Sequence, residues 1–201
     1  MPKHEHAPEN APVGHAGQPQ VEVYSPTARR FHWYVVALIL VQFPLGWSMT
    51  YRGGELNIWD SLTNTLYSSH KLIGIIILLV VILRLGYRLV HGAPKEEPTL
   101  ETWHRHASAT NHWGLYALLV VVPVLGWLGV SYYPALDIFG LFKLPGLVAS
   151  NKEMAEAVFG YHEFAAAVLL ALVGIHIAAA LYHYFIRGDN VLARMIPRLM
   201  R

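Results

Sequence analysis

Four long apolar runs constrain this chain more than any other feature. Trp33 to Tyr51, Trp113 to Leu136 and Phe164 to Ile186 contain no Asp, Glu, Lys or Arg, and Leu72 to Val90 is broken only by Arg84 and Arg88. A helix needs about 20 mainly apolar residues to cross a bilayer, where every backbone amide must be satisfied within the segment. The runs predict an all-α integral membrane four-helix bundle. Composition agrees: of 201 residues, 54% are hydrophobic and 14% charged, against roughly 25% charged in a soluble domain.

Charge placement gives the orientation. If the first span enters from the cytoplasm, Lys3, Arg29, Arg30, Arg88, Lys95, Arg105, Arg187, Arg194, Arg198 and Arg201 share one side, while Arg52, Lys71, Lys143 and Lys152 share the other. The excess of Lys and Arg on the cytoplasmic side predicts that both termini are cytoplasmic. Residues 1–24 are polar and rich in Pro and Gly, with no apolar core near the start. They read as a disordered extension and not as a cleaved signal, and their His4, His6 and His15 could bind metal weakly. Residues 25–201 form the membrane domain. There is no cysteine, which excludes disulfides, thiolate-held iron–sulfur clusters and haem attached through C-x-x-C-H.

Helix punctuation extends the spans beyond their oily cores. Ser25-Pro26 reads as an N-cap with proline in the first turn; Asp60 and Thr99 are the expected caps of the second and third helices, and Ser150 with Glu153 a capping box for the fourth. Tryptophans 33, 103 and 113 at one level and 47, 59 and 127 at the other suggest interfacial belts. Pro44 and Pro123 fall inside spans and are expected to kink them. A weak repeat is present: His32-Trp33 and His112-Trp113 are each followed 14 residues later by Gly-Trp, and His70 stands 14 before Arg84 as His162 stands 14 before His176. Two helical hairpins of common design are expected, with Arg84 in the place of His176.

Histidines inside the membrane segments carry the chemistry. Fourteen residues advance a helix by about 21 Å and return it to within about 40° of the same face, so His162, His176 and His183 form one stripe. Matching depth pairs His70 with His162 near the outer surface and His32 with His176 near the inner one. Neutral imidazoles from facing helices suit both axial positions of a haem iron. The expectation is two haem b groups stacked across the bilayer as an electron conduit. The main rival, a histidine-lined metal or proton path, would want intramembrane carboxylates, and no apolar core contains Asp or Glu. His91, His104, His106 and His112 read as interfacial and solvated, although the repeat makes His112 equivalent to His32, and spacing leaves that choice open.

Two further residues take expected roles. Arg84, 14 residues after His70, reaches the inner level and would satisfy a haem propionate, a task that Arg29 and Arg30 could share; Arg88, a turn further out, suits snorkelling. His183 lies about 10.5 Å beyond His176, too far to ligate the same iron but suited to a quinone head group.

The fourth-span pattern YHE, GIH, LYHY and the tail DNVLARMIPR, with FHW in the first span, His70, Arg84 and Arg88 in the second and HW with Pro123 in the third, resemble the prokaryotic cytochrome b561 family of di-haem membrane proteins. The resemblance covers about residues 28–201. It implies His32, His70, His162 and His176 as haem ligands, choosing His32 over His112, and a multi-pass protein of the bacterial inner membrane that exchanges electrons between a periplasmic donor and quinone. Two alternatives accompany it: a haem-bearing anchor for a redox partner subunit of a larger oxidoreductase, and a metal transporter. Quinone-linked superoxide oxidation also occurs among proteins this chain resembles. An anionic substrate would favour a basic outer surface, whereas the outer segments carry Arg52, Lys71, Lys143 and Lys152 against Glu55, Asp60, Asp137, Glu153, Glu156 and Glu163.

Overall fold

A computed structural model describes residues 22–95 and 100–200. His4, His6, His15, Lys3, Thr99 and Arg201 lie outside the described residues. Four long helices dominate: α1 (Pro26–Thr50), α2 (Ser61–His91), α3 (Thr102–Tyr132) and α4 (Lys152–Tyr182). One π-helical turn extends α1 through Tyr51–Glu55, and another extends α4 through His183–Arg187. Each resulting segment is long and apolar enough to cross a membrane.

The helix starts show which local signals hold. Ser25 Oγ accepts the Ala28 N–H at 3.2 Å with Pro26 in the first turn, and Asp60 Oδ1 accepts the Thr63 N–H at 2.8 Å. The capping box expected at Ser150 and Glu153 is corrected: Asn151 is the N-cap of α4 and accepts from the Met154 N–H at 3.1 Å. Ser150 is already committed, its hydroxyl donating to the Tyr132 carbonyl. The third helix begins at Thr102 after Glu101. Pro44 and Pro123 sit within otherwise continuous helices.

Helix α1 packs on α2, α3 on α4, and the two hairpins meet mainly through α2 and α3. Between α3 and α4 a small antiparallel ribbon, β1 (Asp137–Ile138) and β2 (Phe142–Lys143), folds over one end of the bundle. Lys71 Nζ donates to the carbonyls of Ala135 and Asp137 and fastens this ribbon to α2. The opposite end holds both described termini, where the Tyr24 N–H donates to Arg194 O at 3.2 Å and Arg194 Nε to Glu22 O at 3.0 Å. These are called below the ribbon end and the terminal end. Midway between them lies the core of Val35, Ile77, Val81, Tyr116, Leu119 and Leu169. Trp33, Trp47, Trp59, Trp103 and Trp113 are exposed near the helix ends, as an interfacial belt requires.

Candidate functional site

Each helix carries a ladder with steps of seven residues: His32, Ile39, Gly46 on α1; His70, Ile77, Arg84 on α2; His112, Leu119, Gly126 on α3; His162, Leu169, His176 on α4. Seven residues are close to two turns, so each ladder keeps one face. The middle rungs Ile77, Leu119 and Leu169 belong to the core, and Ile39 packs against it. A layer of branched aliphatic side chains thus separates two polar levels, and the two-hairpin repeat extends to all four helices.

At the ribbon end, His70 and His162 face one another with ring centres 6.2 Å apart and planes at 82°. Glycines line both flanks. A Cβ on Gly46 would stand 3.1 Å from His70 Cε1, and one on Gly126 would stand 3.2 Å from His162 Cε1. The same contact is therefore made twice, once per hairpin. His162 Nδ1–H donates to the Val122 carbonyl at 2.9 Å, which leaves Nε2 as the free lone pair. This is how metal-ligating imidazoles are held. His70 Nδ1 is buried without a hydrogen-bond partner. Both rings open on a cavity of about 1510 Å³ that reaches Trp47, Trp127 and Tyr133.

At the terminal end, His32 and His176 are likewise 6.2 Å apart, with planes at 66°. His112 also joins this level. Its ring lies 5.2 Å from that of His176, and its Nδ1–H donates to Ser108 O at 2.6 Å. It is thus not a solvated surface group: it packs inside the bundle because α3 brings the rung equivalent to His32 against α4. Arg84 reaches the same level, donating to His32 Nδ1 at 3.3 Å and lying 5.2 Å over the Tyr116 ring. It meets no carboxylate among the described residues. Arg88, half-buried, stacks near Trp113 and Tyr116. Arg29 and Arg30 line a separate recess of about 400 Å³ with Pro26, Trp33, Tyr34 and Met195, and are not gathered with the His32–His176 pair.

His183 is placed in a cluster of its own. It is buried in the π-helical turn, and its Nδ1–H donates to Asp189 Oδ2 at 2.6 Å. Sequence reasoning passed over Asp189, which reads as one more polar residue of the tail. The left-handed Gly188, at φ 66°, turns the chain back so that Asp189 meets His183. His104, expected at the solvated surface, has its ring centre 5.6 Å from that of His183 and stacks on Trp103.

The residues fit a haem. Two imidazoles holding an iron between them would each place a nitrogen about 2 Å from it, so their ring centres would stand about 6 Å apart. Both depth-matched pairs stand at 6.2 Å, while His112 and His176 at 5.2 Å are too close. The orphaned His70 nitrogen and the bare glycine flanks suit a flat macrocycle at the ribbon end. Asp60, outside the spans, has its carboxyl held below the usual range by the Thr63 N–H, with the Arg52 guanidinium at 2.7 Å adding to the effect.

Comparisons with known proteins give the chain's family. A family model described as prokaryotic cytochrome b561 matches residues 23–198. Cytochrome b561 homolog 2 of Escherichia coli strain K12 is 28% identical over 179 residues, covering 88% of this chain and 93% of its own length. Cytochrome b561 homolog 1 of the same organism is 27% identical, covering 87% and 97%. A probable superoxide oxidase CybB of Yersinia pestis is 26% identical, covering 83% and 92%. The chain is a multi-pass membrane electron-transfer protein with b-type haem, and it belongs to the prokaryotic cytochrome b561 family.

Proposed function

We propose that the chain holds two b haems, one between His70 and His162 at the ribbon end and one between His32 and His176 at the terminal end, and passes electrons between a periplasmic donor and a membrane quinone. The observation that carries this reading is the equal 6.2 Å separation of the two histidine pairs, which stand 14 residues apart on α4. Haem supplies reversible one-electron chemistry. The chain's own residues bind it, orient the ligating nitrogens and exclude water. Arg84 is placed to turn from His32 to a propionate, and this would free His32 Nδ1 to carry its proton. The excess of Lys and Arg at the terminal end supports cytoplasmic termini in the inner membrane.

The ribbon end then faces the periplasm. Five carboxylates, those of Glu55, Asp60, Asp137, Glu156 and Glu163, line its cavity against one ammonium, Lys71. Lys71 is also committed to two carbonyls. This balance favours a neutral or cationic donor over an anion such as superoxide. At the other end, His183 is the proposed quinone contact. Trp103, which stacks on His104, and the chain neighbours Tyr182, Phe185 and Ile186 are exposed, which supports a route for a membrane-soluble ring.

Single replacements test the pairing. His162→Ala and His176→Ala should each leave one haem per chain, whereas His112→Ala should keep both. Loss of a haem from His112→Ala, with His32→Ala intact, would reassign the second pair.

A further inference from the structure

We propose that His104, His183 and Asp189 form the proton-delivery chain of the quinone site, with Asp189 as its positioning residue. This rests on the assignment of quinone to His183.

The geometry is that of an imidazole held from behind. Asp189 Oδ2 accepts the Nδ1–H of His183 at 2.6 Å, with both side chains almost hidden from solvent. The same carboxylate is fixed independently of His183: Arg187 Nε stands 3.4 Å away, and Asp189 Oδ1 accepts the Val191 N–H at 3.2 Å. A buried carboxylate so oriented sets which nitrogen of His183 points outward. That nitrogen is Nε2. From α3, His104 presents its ring edge-on at 5.6 Å, and its own Nδ1 is buried with no partner. A buried polar atom without a partner calls for an explanation, and a proton carrier needs such a free nitrogen. Among the described residues, Arg187, with Glu101 3.7 Å from it, and Tyr182 also face the cluster.

Reduction of a quinone consumes two electrons and two protons. The electrons come from the haem-linked transfer of the family. In the proposed step, His183 as imidazolium breaks its Nε2–H bond and gives the proton to one quinone oxygen, forming the O–H bond. Neutral His183 keeps Nδ1–H on Asp189. His104 then returns a proton to Nε2 and is itself reprotonated from the terminal-end solvent. The second proton reaches the other quinone oxygen from the same solvent, and quinol leaves.

Stopped-flow reduction of a soluble quinone by the reduced haem-loaded full-length protein, followed with a pH-indicator dye, tests this. His183→Ala should slow quinone reduction by about 100-fold or more, as loss of a proton donor does. Asp189→Asn should slow it by about 10–100-fold, in the range of lost orienting partners, and Asp189→Glu should recover part of that rate. In His104→Phe, which preserves the stack on Trp103, the deficit should widen as pH rises, with dye-detected proton uptake lagging electron transfer. Normal rate and pH profile in Asp189→Asn and His104→Phe, beside a slow His183→Ala, would overturn the relay while leaving the quinone site standing. Normal kinetics in His183→Ala would overturn the quinone assignment itself. Should Asp189→Asn fail to insert, His104→Phe leaves the Arg187–Asp189–His183 contacts in place and decides alone.

Discussion

Gly126 on α3 abuts His162 on α4 so closely that a Cβ there would fall 3.2 Å from Cε1 and 3.3 Å from Nδ1 of the imidazole. Gly46 on α1 stands in the same relation to His70 on α2, at 3.1 and 3.4 Å. Each hairpin therefore positions one imidazole of the His70–His162 pair, the proposed ligands of the ribbon-end haem, by the absence of a side chain on its neighbour.

The first prediction concerns that absence. Gly126→Leu should displace the His162 ring and deplete the ribbon-end haem, while the His32–His176 haem persists. Overpacking of this kind costs about 1–3 kcal/mol. Haem content per chain should fall from two toward one; a full complement would show that the glycine is not needed for the cofactor.

Arg84 is a permanently charged group beside His32, with no carboxylate to meet it among the described residues. Arg84→Leu should shift the potential or lower the occupancy of the terminal-end haem and leave the other unaltered. Potentiometric titration followed by absorbance separates the two haems. An unchanged low- and high-potential pair would mean that Arg84 has no propionate to hold.

Gly129 makes a prediction about the fold alone. A Cβ there would come 2.5 Å from the Phe159 ring, which itself packs against Tyr133. Gly129→Ala should lower the thermal midpoint in detergent, with a cost of about 1–3 kcal/mol. Fluorescence melts of the haem-loaded protein would register it, and an unshifted midpoint would show that Phe159 moves aside freely.

Acidity should affect the start of α2. The Asp60 carboxyl is held below its ordinary value of 3.8 by the Thr63 N–H and then by Arg52. A carboxyl whose value is lowered by folding stabilises the fold above its unfolded value. That stabilisation is lost as pH falls through the lowered folded value. The gap in thermal midpoint between wild type and Asp60→Ala should therefore stay constant from pH 8 to about 5 and close below about pH 4. A gap that persists unchanged at pH 3 would assign the cap's role to something other than its charge.

How much of this was legible in the sequence follows from how local each signal is. Four spans could be read because apolar length alone decides them. Helical rise fixed the depth of His32, His70, His162 and His176, and the structure places them in the expected pairs. Depth says nothing about lateral neighbours, so His112 against His176 and His104 against His183 went unread. The same limit hid the contacts of Gly46 and Gly126, although their 14-residue offset was the visible trace. Caps at Ser25 and Asp60 were plain because each keeps its local N–H even though a distant group, Tyr87 or Arg52, also reaches it. The α4 cap moved to Asn151 because a distant carbonyl, that of Tyr132, had taken Ser150. Asp189 was hidden for a different reason: only the left-handed turn at Gly188 brings it back to His183. The β1–β2 ribbon, with two residues in each strand, is too short to leave a periodic pattern.

The central claim is two haems, each between two imidazoles. It is tested most directly by haem quantification combined with low-temperature electron paramagnetic resonance on the purified oxidised full-length protein. Two b haems per chain, both low-spin as two imidazole ligands require, is the predicted result. A single haem per fully inserted chain, or a high-spin signal from either site, would contradict it.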